Sequence, residues 1–353
     1  MADRNQHTEL NNTQLENSVQ ALLTETGFSE NFVLRVLNGG ANNRIFRLES
    51  NRFSLLLKVY FQDPHDRLRA EFSFARFAWD NGVRSLPEPI VCDTSNHFAL
   101  YEFVPGRCLE PHEVNGTMVE QALRFYHEIN RFRTQSKAQN LLRASEACFS
   151  IAEHFSCVEK RIEDLRHINE TSRVDHDALI FVKTELSKAW SNVSDSVRRR
   201  CHEIKLPLES KIQEQDQRLS PSDFGFHNVI IRNDSRLCFI DFEYAGWDDP
   251  AKMVCDFFCQ PAVPVPPQYH GTFANSIILD LTEPNLHIER IAMLLPVYQI
   301  KWCCIMLNEF GPTGSARRCF AKGSRNQEEE KAKQLEKARR ALNNLDLQQS
   351  LKT

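Results

Sequence analysis

One lysine lies inside an otherwise apolar segment, so any fold of this chain must supply its charge with a partner. Lys58 has Leu and Val neighbours on both sides within segment 53–60, whose composition predicts a β-strand. An ammonium group buried there is costly unless an anion lies beside it. Glu71 can be that anion, because it lies on segment 67–79, where the apolar residues have helical spacing; a phosphate group is the other candidate. The sequence therefore predicts a helix close to a sheet.

The first third of the chain is rich in segments with the pattern of β-strands. We expect strands at 32–37, 44–48, 53–60, 89–92 and 97–104. The loop between the first two contains Gly39 and Gly40, and Asn43 follows them. Glycine lets backbone N–H groups approach a phosphate without a Cβ in the way. Glycine pairs also form ordinary hairpin turns, so the loop alone does not decide between these two interpretations.

Helical patterns dominate after Pro105-Gly106, a pair that marks a break between structural units. Residues 117–215 have helical periodicity, residues 219–242 contain a loop and two short strands, and a final helix is predicted to begin at Ser324. The expected fold is α+β and has three parts: a flexible leader (1–18), a lobe of antiparallel strands with one helix (19–104), and a larger, mainly helical lobe (105–353).

Polar side chains that can bind a metal or a hydroxyl group surround the two short strands of the second lobe. Asp223 and Asn228 belong to the loop before these strands, and Asp241 follows them. Because a hairpin returns the chain to near its start, we expect Asp241 beside the other two residues. One amide and one carboxylate are hard oxygen ligands that suit Mg²⁺ bound to phosphate. The remaining carboxylate can orient or deprotonate an attacking hydroxyl group.

His227 and three acidic residues near this group have more than one interpretation. We expect His227 to pack within its loop rather than to transfer a proton. Glu243, Asp248 and Asp249 could face a cationic substrate. The segment from Asp248 to Pro250 also has the composition of a helix start, and we favour that interpretation.

Taken in order along the chain, these features resemble the aminoglycoside phosphotransferase and choline kinase family over about residues 30–260. Asp223 lies where that family has its catalytic base, Asn228 where it has a metal-binding amide, and Asp241 where it has a metal-binding aspartate. Asp256 is similar to a structural aspartate that follows the metal loop in the family. The resemblance therefore implies one catalytic and two metal-binding residues.

The nucleotide-binding residues that the resemblance implies lie in the first lobe. The segment 38–48, with its two glycines and Asn43, is similar to the family's nucleotide loop. Lys58 and Glu71 are similar to the phosphate-binding lysine and its helix glutamate. The segment that contains Glu102 and Val104 resembles the hinge, where backbone groups hold adenine.

The resemblance implies a two-lobed protein-kinase-like fold that uses ATP and Mg²⁺. The implied reaction moves the γ-phosphoryl group to a hydroxyl of a small polar metabolite, such as a sugar, an amino sugar or an amino alcohol. Two residues depart from the family pattern: Pro221 replaces its usual histidine, and Ser222 stands where glycine or asparagine is common. Pro221 leaves open an alternative, a catalytically impaired pseudokinase with a regulatory role. Phosphorylation of proteins is disfavoured, because the chain has no recognisable activation segment.

The composition limits the binding partners and the cellular compartment that can be expected for this protein. The 43 basic and 47 acidic residues give a net charge of −4, which provides no reason to expect nucleic acid or an acidic membrane. Eleven cysteines without C-x-x-C spacing favour a reducing cytoplasm over a disulfide framework. The most apolar segment, 291–307, contains Pro, Gln and Lys, so we expect a buried helix rather than a membrane span. The expected partner is a small hydroxyl-bearing substrate, and the oligomeric state is left open.

Overall fold

A computed structural model of the protein describes residues 12–28, 30–37, 42–311, 320 and 327–345. Three predicted features fall outside these residues: the Gly39-Gly40 pair, the helix start at Ser324, and residues 1–11 of the expected leader. The remainder of that leader is not a loose segment. Helix α1 (Asn12–Glu25) begins within it, and Leu15 and Val19 are buried in the first lobe. The helical spacing of these apolar residues was missed because the first residues of the chain are rich in polar and amide side chains.

The first lobe is a five-stranded antiparallel sheet with the order β1-β2-β3-β5-β4. Its strands are β1 (Val33–Leu37), β2 (Arg44–Glu49), β3 (Ser54–Val59), β4 (Pro89–Asp93) and β5 (Phe98–Glu102). All five were predicted, because each alternates apolar and polar residues or is a short apolar run. Helix α2 (Arg67–Asp80) lies between β3 and β4 in sequence, also as predicted.

The two helices of this lobe pack into different apolar clusters. Leu15, Val19 and Leu23 of α1 join apolar side chains of β2, β3 and β5 in a small separate core. The apolar face of α2, including Leu68 and Phe74, belongs instead to the large core that continues into the second lobe. Strand β3 is the central strand of the sheet and lies between these two cores. This position explains why the side chain of Lys58 is buried.

The second lobe is mainly helical, with short strands near its junction with the first. Its helices are α3 (Gly116–Asn130), α4 (Ser136–Gln139), α5 (Ile151–Leu165), α6 (Arg173–Phe181), α7 (Ser187–Glu203), α8 (Pro250–Cys259), α9 (His270–Ile278), α10 (Pro284–Met306) and α11 (Gln327–Asn343). Strands β6 (Arg107–Cys108), β8 (Val229–Ile231) and β9 (Leu237–Phe239) form one antiparallel sheet. Strands β7 (Arg218–Ser220) and β10 (Gly246–Asp248) form another.

Helix α10 is the central element of the second lobe. It packs against α5, α7, α8, α9 and α11. The segment Pro284–Phe310 is long and apolar enough to cross a membrane, but 67% of its most apolar window is buried within the protein. Cys303 and Cys304 are buried there, in agreement with a core helix. Pro296 lies inside α10, where its ring removes one backbone hydrogen bond.

Candidate active site

The charge of Lys58 is balanced by two carboxylates, one from each lobe. Its Nζ atom lies 2.7 Å from Glu71 Oε2 on α2 and 2.5 Å from Asp241 Oδ1 after β9. Burial alone would lower the pKa of this ammonium group, but the charges of Asp241, Glu71 and Glu243 outweigh it and hold the pKa well above its usual value. Lys58 is therefore charged. The expected pairing with Glu71 is confirmed, and the contact with Asp241 also connects the lobes.

Two buried tyrosines hold Glu71 in place, and neither was predicted from the sequence. Tyr60 donates a hydrogen bond to Glu71 Oε2 over 2.8 Å, and its hydroxyl lies 2.8 Å from that of Tyr101. Burial raises the pKa of both tyrosines well above the usual value, so both remain protonated donors. The only signal in the sequence was the position of Tyr60 two residues after Lys58, on the same face of an extended chain.

A second contact between the lobes is built around Glu243. Its carboxylate accepts hydrogen bonds from Asn42 over 3.0 Å and from Asn43 over 2.5 Å, and it pairs with Arg67 at 2.8 Å. Asn43 Oδ1 also accepts a hydrogen bond of 3.0 Å from the backbone N–H of Phe61. Both polar atoms of the Asn43 side chain are thus engaged within the protein. The contact of Asn43 with nucleotide stays a prediction.

The three acidic residues that follow Asp241 face the protein interior. Glu243, Asp248 and Asp249 are each at most 2% exposed. Asp249 accepts a hydrogen bond from the backbone N–H of Ala251 over 2.8 Å and caps the N-terminus of α8. The favoured interpretation as a helix start is therefore confirmed. The other one, a face for a cationic substrate, is wrong for these three residues.

The loop between β7 and β8 orients Asp223. Its Oδ1 atom lies 3.1 Å from His227 Nε2, and its backbone carbonyl accepts a hydrogen bond of 3.0 Å from Asn228 Nδ2. Burial opposes ionisation of Asp223, but the hydrogen bond and charge of His227 outweigh it, so the pKa of the carboxyl lies below its usual value. Because Oδ1 is engaged, Oδ2 is the oxygen available to a ligand. Asp223 is therefore an ionised acceptor.

His227 packs within this loop, as predicted, but it also contacts Asp223, which was not predicted. Burial would lower the pKa of its imidazole, but Asp223 more than compensates and raises it. The close packing depends on Gly225, because a Cβ on that residue would lie 2.7 Å from His227 Nδ1. His227 is thus a support for Asp223 that comes from the C-terminal part of the loop.

The conformation and the hydrogen bonds of the loop accommodate Ser222 and Pro221, the two residues that depart from the family pattern. Ser222 has a φ of +65°, the left-handed region that glycine and asparagine adopt most readily. Its hydroxyl accepts a hydrogen bond of 3.0 Å from Lys252, which also pairs with Asp248 at 2.5 Å. The Pro221 carbonyl accepts a hydrogen bond from the backbone N–H of Asp223 over 2.9 Å. The loop is therefore held without the family histidine.

Asn130 fixes the strand from which this loop continues. Its side chain donates to the backbone carbonyl of Leu219 and accepts from the Leu219 backbone N–H, both over 2.9 Å. Such a pair of hydrogen bonds replaces a neighbouring strand on that side of β7. Asn130 is the last residue of α3 and is 4% exposed, so the clamp is part of the core. No local pattern in the sequence predicted this role.

Asn228 and Asp241 are brought together by the hairpin, as predicted. The Asn228 backbone carbonyl accepts a hydrogen bond of 3.0 Å from the N–H of Ile240, the residue before Asp241. Asp241 has a φ of +67°, an uncommon conformation of the kind found at functional sites. Burial, partly offset by Lys58, raises the pKa of its carboxyl to about 6, so a cation beside it would favour the ionised form.

The residues of this hairpin fit a hard divalent cation. The Asn228 amide nitrogen donates to Asp223, which leaves its amide oxygen for a ligand. Asp241 supplies a carboxylate. Mg²⁺ commonly takes one or two protein oxygens and completes its shell with water and phosphate. The part of the chain that the structure describes contains no group of three or more His, Cys, Asp or Glu residues suited to a metal, so a metal site made of protein ligands alone is not found there.

The predicted hinge lies at the end of β5. The Glu102 backbone N–H donates to the Glu88 carbonyl over 2.8 Å, and the Glu102 side chain lies 3.5 Å from Arg232 of the second lobe. Val104 follows with 6% exposure. These contacts fix the connection between the lobes at the position where the resemblance implies that adenine binds. The contact with adenine itself remains a prediction.

Comparison with solved structures places the fold among kinases of small molecules. A spectinomycin phosphotransferase in complex with ADP and spectinomycin has a TM-score of 0.63 and 13% identity, with 95% of this chain and 98% of that chain covered. A choline kinase from Cryptosporidium parvum has a TM-score of 0.58 and 12% identity (97% and 98% covered). An ethanolamine kinase from Plasmodium vivax has a TM-score of 0.56 and 14% identity (93% and 89% covered).

These likenesses confirm the two-lobed, protein-kinase-like α+β fold. A search of curated proteins gives no match. A model of the phosphotransferase enzyme family, in contrast, matches residues 33–266. That range runs from the first residue of β1 to beyond α8, and thus includes both lobes' contributions to the cluster around Lys58. Because the match covers more than half of the chain and the whole of this cluster, the protein belongs to the phosphotransferase enzyme family, as a kinase of small molecules.

Proposed function

We propose that this protein transfers the γ-phosphoryl group of ATP to a hydroxyl group of a small polar metabolite: a sugar, an amino sugar or an amino alcohol. The observation that carries the proposal is the contact of Lys58 with both Glu71 and Asp241, which joins the phosphate-binding and metal-binding groups. The acceptor class is suggested by the neighbours, whose names include spectinomycin, choline and ethanolamine. The compartment is a reducing cytoplasm, because the ten described cysteines are free.

Each residue has a distinct part in the proposed reaction. Lys58 would bind phosphate oxygens, and Glu71 would keep it in position. Asn228 and Asp241 would hold Mg²⁺, which when bound supplies positive charge to the phosphates. Asp223 Oδ2 would accept the proton of the substrate's hydroxyl group, while the oxygen of that hydroxyl group forms a bond to the γ-phosphorus. The bond from that phosphorus to the bridging oxygen breaks, and ADP leaves with the electron pair.

Binding of Mg-ATP should raise the melting temperature of the protein, because a ligand that binds only the native state stabilises it. At about 100 times the dissociation constant the gain is about 2.7 kcal/mol. Asp241→Asn should lose the Mg²⁺-dependent part of this gain, since it removes the anionic metal ligand. The measurement is a thermal melt with ATP, with and without Mg²⁺. Asp195→Asn, an exposed site on α7, is the matched control and should behave as wild type.

Two results would contradict the proposal. Folded wild type that shows no shift with millimolar Mg-ATP would exclude the nucleotide site altogether. A shift without any Mg²⁺-dependent ADP release across a metabolite library would favour the pseudokinase. The same library screen identifies the acceptor if the enzyme is active. These measurements therefore separate a failure of nucleotide binding from a failure of catalysis.

Lys58→Met should reduce turnover by about 10²-fold or more, because one preorganised charge on the phosphates is lost. It also leaves Glu71 buried without its cation, so a loss of stability is expected as well. Adding Glu71→Gln to Lys58→Met removes that unpaired charge. The double variant should regain stability in urea denaturation but not turnover. Turnover that recovered with stability would show that Lys58 acts only on the fold.

A further inference from the structure

Two cysteines that the proposed reaction does not use lie together beside helix α5. Cys157 is on the second turn of α5, and Cys148 is in the irregular segment that leads to Ser150, the N-cap of that helix. The Cys148 thiol has two acceptors within reach: the Glu146 backbone carbonyl at 3.2 Å and the sulfur of Cys157, with which it shares a hydrogen bond. The two thiols are therefore in contact, and both are free in this structure.

An ion pair holds the segment of Cys148 against α5. Glu146 Oε1 lies 2.6 Å from Nη2 of Arg161, which is four residues after Cys157 in the helix. Residues at this spacing are neighbours on one face of a helix. Glu146 has a φ of +54°, and the chain turns there before it reaches Cys148. The ion pair therefore places the segment along the face of α5 that contains Cys157, independently of the contact between the sulfurs.

The surroundings of the pair favour a thiolate on Cys157. The hydrogen bond from Cys148 lowers the pKa of the Cys157 thiol, although burial opposes this. Lys301 and Arg161 add positive charge, against the negative charge of Glu146. The same hydrogen bond, together with burial, raises the pKa of Cys148. Cys157 is also partly exposed, whereas Cys148 is 4% exposed. A reactive thiolate therefore has a protonated thiol beside it.

Other neighbouring cysteines in this lobe have a purely structural explanation. Cys255 and Cys259 are one turn apart on α8, and their thiols donate to backbone carbonyls of α10 over 3.7 and 3.8 Å. Burial raises the pKa of both thiols well above the usual value. They pack as small apolar side chains, which is the usual role of a buried cysteine. That role does not explain why the pKa of Cys157 is lowered, nor why its partner lies outside any helix.

We propose that Cys148 and Cys157 form a reversible disulfide when the protein meets a hydroperoxide. The Cys157 thiolate attacks one peroxide oxygen and breaks the O–O bond, so Cys157 becomes a sulfenic acid and the other oxygen leaves as water or an alcohol after protonation. The Cys148 sulfur then displaces the hydroxyl group from the Cys157 sulfur. The S–S bond forms, and water leaves with the proton of Cys148. The two sulfurs are oxidised, and the peroxide is reduced.

Only a local movement is needed to close this bond. An S–S bond is shorter than a hydrogen-bonded contact between two sulfurs, so one of them must approach the other. Cys157 is fixed on α5, which packs against α10. Cys148 lies in a segment without regular secondary structure, so it is the residue that moves. In a reducing cytoplasm such a disulfide is transient and is reversed by a dithiol, as in proteins that sense oxidants. The proposal does not depend on the proposed phosphotransfer reaction.

The test uses the full chain, treated with hydrogen peroxide, alkylated with iodoacetamide in denaturant and digested with trypsin without reductant. The chain has no Lys or Arg between Arg143 and Lys160, so both cysteines are in one peptide, 144–160. We expect mass spectrometry to show this peptide unalkylated and lighter than its reduced form by two hydrogen atoms. Treatment with dithiothreitol before alkylation should restore the doubly alkylated peptide.

Single variants separate the parts of the two cysteines. Cys148→Ser removes the second thiol, so sulfenic acid on Cys157 should persist and be trapped by dimedone. The serine hydroxyl can still donate to the Glu146 carbonyl, so this variant should fold normally. Cys157→Ser should leave the buried Cys148 reduced at the same peroxide concentration. Cys108→Ser, at an exposed cysteine of β6, is the control and should form the disulfide as wild type does.

Cys304 is the rival partner, because this buried cysteine of α10 is near enough to Cys157 for their charges to interact. Cys304→Ser should leave the disulfide of peptide 144–160 unchanged. A disulfide between Cys157 and Cys304 would instead link two tryptic peptides and would overturn the proposal. A peptide 144–160 that remained doubly alkylated after peroxide treatment, or that was oxidised only to sulfinic acid, would overturn it as well.

Discussion

Asp223→Asn should slow phosphoryl transfer by about 10²–10⁴-fold, the contribution typical of a general base. The amide is nearly isosteric with the carboxylate, and it can still meet His227 Nε2, which lies 3.1 Å from the native Oδ1. The backbone contact from Asn228 is unaffected, because it goes to the Asp223 carbonyl. Fold and Mg-ATP binding should therefore remain, and only the proton acceptor for the substrate hydroxyl is lost.

The measurement is ADP release with the acceptor that the metabolite screen identifies, beside calorimetric titration with Mg-ATP. Asp195→Asn makes the same chemical change at an exposed position of α7 and controls for the loss of one negative charge. A rate for Asp223→Asn equal to that of wild type would remove Asp223 from the catalytic role. Weak Mg-ATP binding in this variant would instead assign Asp223 to the nucleotide site.

Two kinds of local pattern allowed parts of the site to be predicted: a charged residue inside an apolar strand, and polar residues on either side of a short hairpin. Lys58 has a charge inside an apolar strand, which requires an anion, and Glu71 has the helical position to provide it. Asp223, Asn228 and Asp241 are polar groups around a short hairpin, and hairpins have few geometries. In both cases local chemistry and local chain direction were sufficient, and the structure has the expected contacts.

The supports of these residues could not be predicted, because they depend on pairing between distant segments. Asn130 and Leu219 are 89 positions apart, and Asn43 and Glu243 are 200 positions apart. Nothing in the local sequence of an asparagine distinguishes a buried clamp from a solvated side chain.

The expectation of a flexible leader was wrong for residues 12–18, for a related reason. Leu15, Val19 and Leu23 repeat at helical spacing, but polar and amide residues surround them, so the stripe is narrow. Its stability comes from packing against the sheet, where all three residues are buried. A short amphipathic helix of this kind has little stability by itself. Its existence is therefore a property of the folded lobe and not of the segment.

Lys252→Met should lower the free energy of unfolding by about 3–5 kcal/mol, the cost of breaking a buried ion pair on one side. Lys252 is fully buried, pairs with Asp248 at 2.5 Å, lies 3.6 Å from Asp256, and donates to Ser222 at 3.0 Å. Without the ammonium group, Asp248 is a carboxylate with 0% exposure and no cation beside it. The left-handed Ser222 also loses its support, so the loop that holds Asp223 should loosen.

Urea denaturation at several pH values tests this explanation of the Lys252 effect. Burial already raises the pKa of Asp248 to about 6 in the native protein, and removing Lys252 must raise it further. A folded-state pKa above the unfolded value means that ionisation favours unfolding. The loss of stability in Lys252→Met should therefore be largest near pH 8 and should shrink by more than about 1 kcal/mol towards pH 5.

Lys252→Met with Asp248→Asn should regain much of the stability at neutral pH. Lys188→Met, at an exposed position, should change stability by less than about 0.5 kcal/mol. A deficit independent of pH, or one that Asp248→Asn did not relieve, would mean that lost packing and not an unpaired carboxylate destabilises the variant.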